Sequence, residues 1–164
     1  MICSIIYVGE AKDDNYASMF REYQKMLKGT SELEEIRVKP YKTSGSATSE
    51  SEIRKCIEEE GKAVLSELNL PKYSKCEKIA MCIEGKNISS EEFAELFQKS
   101  QVSGKSGFAF VIGGSWGLSD EVKKACDIRL SFSKMTFPHR LFKVMLAEQI
   151  YRAFSIIQGK KYHK

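Results

Sequence analysis

Phe108-Ala-Phe-Val-Ile-Gly-Gly-Ser-Trp-Gly-Leu-Ser119 decides how this chain is read. A hydrophobic strand runs into a glycine turn, and Ser119-Asp120-Glu121 then opens a helix with a cap oxygen and first-turn acids. Glycines at such a turn let the backbone bend sharply and leave N–H groups to face a ligand. A second loop, Ser131-Phe-Ser-Lys-Met-Thr-Phe-Pro-His139, follows a short strand and leads into a long helix. Two loops of this kind point to a ligand pocket.

Outward from this centre, strand-like runs at Ile2–Val8, Leu33–Lys39, Lys78–Ile83, Gly107–Ile112 and Ile128–Phe132 alternate with helical patterns near 12–28, 49–68, 89–101, 119–126 and 139–157. Alternation of this sort predicts an α/β fold with a largely parallel sheet flanked by helices. The 164 residues, with 42% hydrophobic and 29% charged content, suffice for one core, so a single domain over 1–164 is expected. The segment 43–52, small and polar, reads as a mobile connection before the second helix. There is no internal repeat and no domain linker.

Charge is unevenly spread. Residues 129–164 hold eight Lys/Arg against the single acid Glu148, a net +7, while residues 1–128 carry about −3 within the overall +4. Local density of positive charge is what phosphate binding depends on, so the basic end suits nucleic acid, with a solvated basic face as the equal alternative on charge alone. Five cysteines without a C-x-x-C pair disfavour a disulfide framework and a zinc site, and fit a reducing cytosol; no metal is expected. The start, Met1–Val8, lacks a basic leader and reads as a first strand; no run approaches the ~18 apolar residues of a membrane span.

Three enzyme motifs compete for the glycine turns. A dinucleotide fingerprint needs G-x-G-x-x-G after the first strand, and neither spacing nor position fits. A phosphate loop around Gly104-Lys105-Ser106 needs glycine at 99, where Lys99 stands; a plain turn is the better reading. Gly113-Gly114-Ser115-Trp116-Gly117 does satisfy G-x-S-x-G, with Asp127 and His139 following in the order of a small serine hydrolase, although only 24 residues separate Ser115 from His139. His139 and His163 are the two histidines, and either can carry a proton near neutrality; for His139, at a helix start, capping is the plainer role.

In the last helix Phe142, Met145, Leu146, Ile150, Ala153, Phe154 and Ile157 form an apolar stripe that Leu141, Val144 and Tyr151 widen. The stripe exceeds what one sheet contact needs, which favours a homodimer.

Over its whole length the chain resembles the RlmH (YbeA-like) family of SPOUT RNA methyltransferases, whose members methylate N3 of a pseudouridine in helix 69 of 23S ribosomal RNA. The resemblance rests on Phe110–Ser119, on Leu130–His139, on Glu148-Gln-Ile-Tyr-Arg-Ala-Phe154 and on the closing Tyr162-His-Lys164, with Ile83-Glu-Gly-Lys86 and Ser89-Ser-Glu-Glu-Phe93 upstream. It implies a deep C-terminal trefoil knot whose loops bind S-adenosylmethionine through Met81, Gly113, Phe132, Ser133, Lys134, Met135, Thr136 and Phe137. It also implies a cytoplasmic homodimer in which the basic tail of one subunit reaches the pocket of the other, with Arg152, Tyr162 and His163 on the RNA. The resemblance does not settle the base: His163 or His139 can take the N3 proton, or the proton can leave to water. The substrate would be 23S rRNA within the ribosome or large subunit. A non-catalytic RNA-binding homologue is the alternative within the family. The chain departs from the family pattern at Lys161, where members commonly have proline, and at Trp116, where they offer a polar side chain.

Overall fold

The computed structural model describes residues 1–43 and 49–163. The elements follow the order β1 (Ile2–Val8), α1 (Asn15–Leu27), β2 (Glu32–Val38), α2 (Glu50–Leu68), a 3-10 turn (Pro71–Tyr73), β3 (Cys76–Asn87), α3 (Ser90–Val102), β4 (Gly107–Ile112), α4 (Asp120–Ala125), β5 (Ile128–Ser131) and α5 (His139–Ile157). The five strands form one sheet in the order β2-β1-β4-β3-β5, and every pairing is parallel.

Period-two alternation sorts each strand between two cores. Cys3, Ile5, Tyr7, Phe108, Phe110, Ile79 and Met81 face one side, with α1, α3 and α5 packed over them. Ile6, Val8, Ala80, Ala109 and Val111 face the other, under α2 and α4. The central strands are therefore buried on both faces, which is why they read as unbroken apolar runs. On the first face Phe97 stacks on Phe108 at 4.1 Å and meets Phe154 edge-on at 5.3 Å, tying α3 to β4 and α5.

Helix starts follow local chemistry. Ser49, Ser89 and Ser119 each accept an N–H of the first turn, and Ser89 with Glu92 completes a reciprocal capping box. The start of α5 is held differently. Pro138 offers no side-chain cap, but Arg140 pairs with Asp14 at 2.5 Å. Lys143, 5% exposed, pairs with Glu35 and sits 4.2 Å from the Tyr7 ring.

Most expected elements shift by one to three residues, but β3 differs in kind. It runs on to Asn87, and Leu130 of β5 pairs with both Met81 and Lys86, so residues 82–85 bulge out of the ladder. Gly85 sits against the Leu130 backbone, where an added Cβ would lie 2.5 Å from its carbonyl carbon. A bulge is invisible to periodicity, which reads the strand as ending at Ile83. Of the expected connection 43–52, residues 44–48 lie outside the described residues, while 50–52 already belong to α2. All five cysteines are free thiols. No helix among the described residues is long and apolar enough to cross a membrane, and none of their His, Cys, Asp or Glu side chains cluster in groups of three that could hold a metal ion.

Candidate functional site

Parallel strands deliver their C-terminal ends to one edge of the sheet, and there β3, β4 and β5 release the loops that wall a cavity of about 440 Å³. That volume falls within the ~300–1,000 Å³ usual for small-molecule sites. Met81, Ile112, Phe132, Phe137 and Phe142 supply apolar walls, and the turn Gly113–Gly117 supplies a polar lip. The turn closes by a Gly117 N–H bond to the Gly114 carbonyl at 3.1 Å, with Gly117 at φ +82°. Ser115 and Trp116 form its tip, and their N–H groups donate to no acceptor among the described residues. Gly113 packs so closely that a Cβ would stand 2.5 Å from the Gly117 carbonyl carbon.

Of the residues expected at the cofactor, Met81, Gly113, Phe132, Ser133, Met135, Thr136 and Phe137 all line this cavity, whereas Lys134 is exposed and does not. Ser133 shapes its own loop by accepting the Met135 N–H at 2.9 Å, and its carbonyl accepts from the Ser131 hydroxyl. The sequence reading missed the wall contributed by the bulge, where Glu84 pairs with Lys123 at 2.5 Å. The block Ile83–Lys86 was visible as a family match, but only the doubled pairing at Leu130 explains why it faces the cavity.

His139 lines the cavity as the first residue of α5. Burial, and then the nearby charges of Arg140 and Lys143, lower its pKa below the usual histidine value. The imidazole is therefore neutral near pH 7 and able to accept a proton. Its expected capping role is not realised, for Pro138 occupies the cap and the imidazole makes no hydrogen bond among the described residues.

Arg152, Tyr162 and His163 come together, but elsewhere. Arg152 binds Glu148 through two nitrogens at 3.0 and 2.5 Å, Tyr162 donates to the same Glu148 oxygen at 3.1 Å, and the guanidinium lies 4.8 Å over the Tyr162 ring. Arg152 donates to His163 Nδ1 at 3.2 Å, and His163 Nε2 then donates to Glu91 at 2.7 Å. Bonds from the Glu91 backbone and Ser89, with His163, hold the Glu91 carboxyl down at about 2. Burial and the Glu148 charge push Tyr162 up to about 12. None of the three lines the cavity, and the 13 residues from His139 to Arg152 span ~20 Å of helix.

Beside this cluster an apolar groove of about 410 Å³ is bounded by Met19 and Tyr23 of α1, by Leu141, Val144 and Met145 of α5, and by Phe93. Phe132 borders both groove and cavity.

The hydrolase arrangement is not assembled. Asp127 accepts the Lys78 N–H at 2.8 Å at the N-terminal edge of the sheet, while Ser115 lies beyond the C-terminal end of β4, a six-residue strand ~20 Å long. No described non-glycine residue has positive φ, so Ser115 lacks the strained conformation of a nucleophile elbow. Gly104 forms the plain turn before β4, and Lys105 is paired with Glu77 and Asp127 at 3.6 Å each, also at the far edge.

The model of the family described as "Predicted SPOUT methyltransferase" matches residues 1–163. The chain is 43% identical over 164 residues to the ribosomal RNA large subunit methyltransferase H 1 of Clostridium perfringens (strain SM101 / Type A), and 44% identical over 165 residues to the ribosomal RNA large subunit methyltransferase H of Clostridium botulinum (strain Kyoto / Type A2), covering 100% of both chains in each case. Among solved structures, a probable methyltransferase from Bordetella pertussis Tohama I aligns with a TM-score of 0.58 at 14% identity over 93% of each chain. A probable methylase family protein from Haemophilus influenzae Rd KW20 aligns with a TM-score of 0.53 at 17% identity, over 99% of this chain and 70% of the other. At such identities the two structures speak for the fold. With the family match over nearly its full length and the full-length relatives above 40% identity, the chain belongs to the SPOUT methyltransferases, and within them to the family of ribosomal RNA large subunit methyltransferase H.

Proposed function

We propose that this chain is a cytoplasmic methyltransferase that binds S-adenosylmethionine in the cavity beside Gly113–Gly117 and methylates N3 of a pseudouridine in helix 69 of 23S rRNA, within the assembled ribosome or large subunit. The carrying observation is that the residues the family resemblance assigns to the cofactor, Lys134 excepted, converge on one cavity of suitable size. The donor set fits the group: apolar walls suit an adenine, unbonded turn N–H groups suit its polar edges, and the Gly113 cradle leaves no room for a side chain. When bound, S-adenosylmethionine supplies an electrophilic methyl group. The chain then has to hold the target base in line with it, so alignment of the two reactants is the main catalytic contribution.

N3 must also lose its proton. His139, neutral and inside the cavity, is the base nearest to hand, and His163 is the second candidate. The position of Arg152, Tyr162 and His163 supports action across a homodimer, with the tail of one subunit serving the cavity of the other. The apolar groove of α1 and α5, with Met19 47% exposed on its rim, is the surface on which the second subunit would seat. Membership of the SPOUT family, matched over residues 1–163, supports a single domain threaded as a C-terminal trefoil knot. A small domain grips little RNA by itself, so the ribosome is expected to present the unstacked loop base.

The test supplies labelled S-adenosylmethionine with large subunits lacking the modification, or with a free helix 69 oligonucleotide. Label at one pseudouridine in the subunits, far above that in the oligonucleotide, is the expected result. Cofactor binding without transfer to any RNA would leave the non-catalytic RNA-binding reading instead.

A further inference from the structure

Behind the glycine turn, on the side away from the cavity, α2 presents Glu60. This carboxylate is 6% exposed. Oε1 accepts the Tyr41 N–H at 3.1 Å. Oε2 is the buried side-chain oxygen or nitrogen without a hydrogen-bond partner among the described residues. It faces the turn directly, for a Cβ built on Gly114 would lie 2.7 Å from it. Burial raises the Glu60 pKa, an effect that the Tyr41 N–H and the Cys56 thiol offset only in part.

Such a group opposes folding. A carboxyl whose folded pKa lies above its unfolded value favours the native state only at low pH, and penalises it as pH rises through the raised value. A buried oxygen with an unfilled lone pair adds a further penalty. A glutamine of the same shape would fold at least as well, so the retention of a carboxylate against a ligand-binding turn calls for a role other than stability.

Resting on the assignment of the cavity to S-adenosylmethionine, we propose that Glu60 is a positioning residue: its open Oε2 is the acceptor against which the Gly113–Gly117 turn settles when the cofactor binds. Oε1 is fixed to the chain before α2, so the carboxylate ties that segment and the turn into one unit. Holding the Gly114 backbone from behind fixes the lip, leaving the Ser115 and Trp116 N–H groups for the ligand. The other ionisable groups around Glu60 are Cys56 on the same helix and Lys39, Tyr41, Lys42 and Glu59, which share its outer groove. His139 titrates across the cavity from the turn.

The test compares wild type with Glu60→Gln and Glu60→Leu by thermal melting and by S-adenosylmethionine calorimetry between pH 5 and 8. Both variants are expected to melt at or above the wild-type temperature at pH 7, with the difference shrinking toward pH 5, yet to bind the cofactor about tenfold more weakly, the scale of one hydrogen bond to a charged group. Wild-type affinity should fall on acidification more steeply than that of Glu60→Gln; the His139 contribution is common to both. Variants that bind like wild type, with the same pH profile, overturn the inference while leaving the cofactor site standing. A wild-type protein that binds no S-adenosylmethionine at any pH overturns both.

Discussion

The cavity at the C-terminal edge of the sheet is walled by apolar side chains and by turn N–H groups that bond to nothing in the described chain, whereas the cluster of Glu148, Arg152, Tyr162 and His163 is a closed circuit of charged and hydrogen-bonded groups. The first presents donors without protein partners among the described residues. The second is satisfied as it stands and lies ~20 Å down α5 from His139. Under the proposed function the difference has a meaning: one chain would complete the cofactor half of the reaction, while Glu148 and Glu91 would hold the substrate half until RNA phosphate and a second subunit compete for it. Separate substitutions should therefore break the two halves separately.

The largest effect is expected at Gly113. Leucine there drives a side chain into the Gly117 backbone, and calorimetry should show S-adenosylmethionine affinity reduced at least a hundredfold. Arg152→Ala should leave that affinity within twofold and lower methylation of large subunits by about 10- to 100-fold, the worth of a charge-assisted contact. Mixing the two impaired proteins should restore part of the activity, because in the proposed dimer a mixed pair joins an intact cavity to an intact tail; absence of any recovery would confine both halves to one subunit.

The third expectation concerns pH. The His139 pKa is lowered, so the proton-accepting imidazole persists above that lowered value and is lost as pH falls through it. The rate of a single turnover should decline on that acid limb, and His139→Asn should remove the limb along with several-fold of the rate. The smallest effect is at Tyr162. Because its phenol titrates near 12, Tyr162→Phe should delete one late step from the ultraviolet titration of the tyrosines and slow methylation only a few-fold.

Local chemistry made much of this legible in the sequence. Alternation of strands and helices gave the layers, the serine cap at 119 placed the start of α4, and the stretch 139–157 matches α5 in both bounds. The two loops around Gly113 and Thr136 do meet in one cavity. Non-local features stayed hidden. The bend of β3 around Leu130 depends on a partner strand 49 residues away, and Glu60 reads as one more acid in a Glu-rich helix until its packing against Gly114 is seen. Lys143 illustrates the same limit, because a lysine on an apolar stripe gains its reason only from Glu35 and Tyr7.

The central claim is that the cavity beside Gly113–Gly117 binds S-adenosylmethionine. Calorimetric titration of the purified protein tests it most directly. One molecule bound per chain, abolished by Gly113→Leu and retained in Arg152→Ala, is the predicted result. No heat of binding to wild type, or binding that survives Gly113→Leu unchanged, would contradict it.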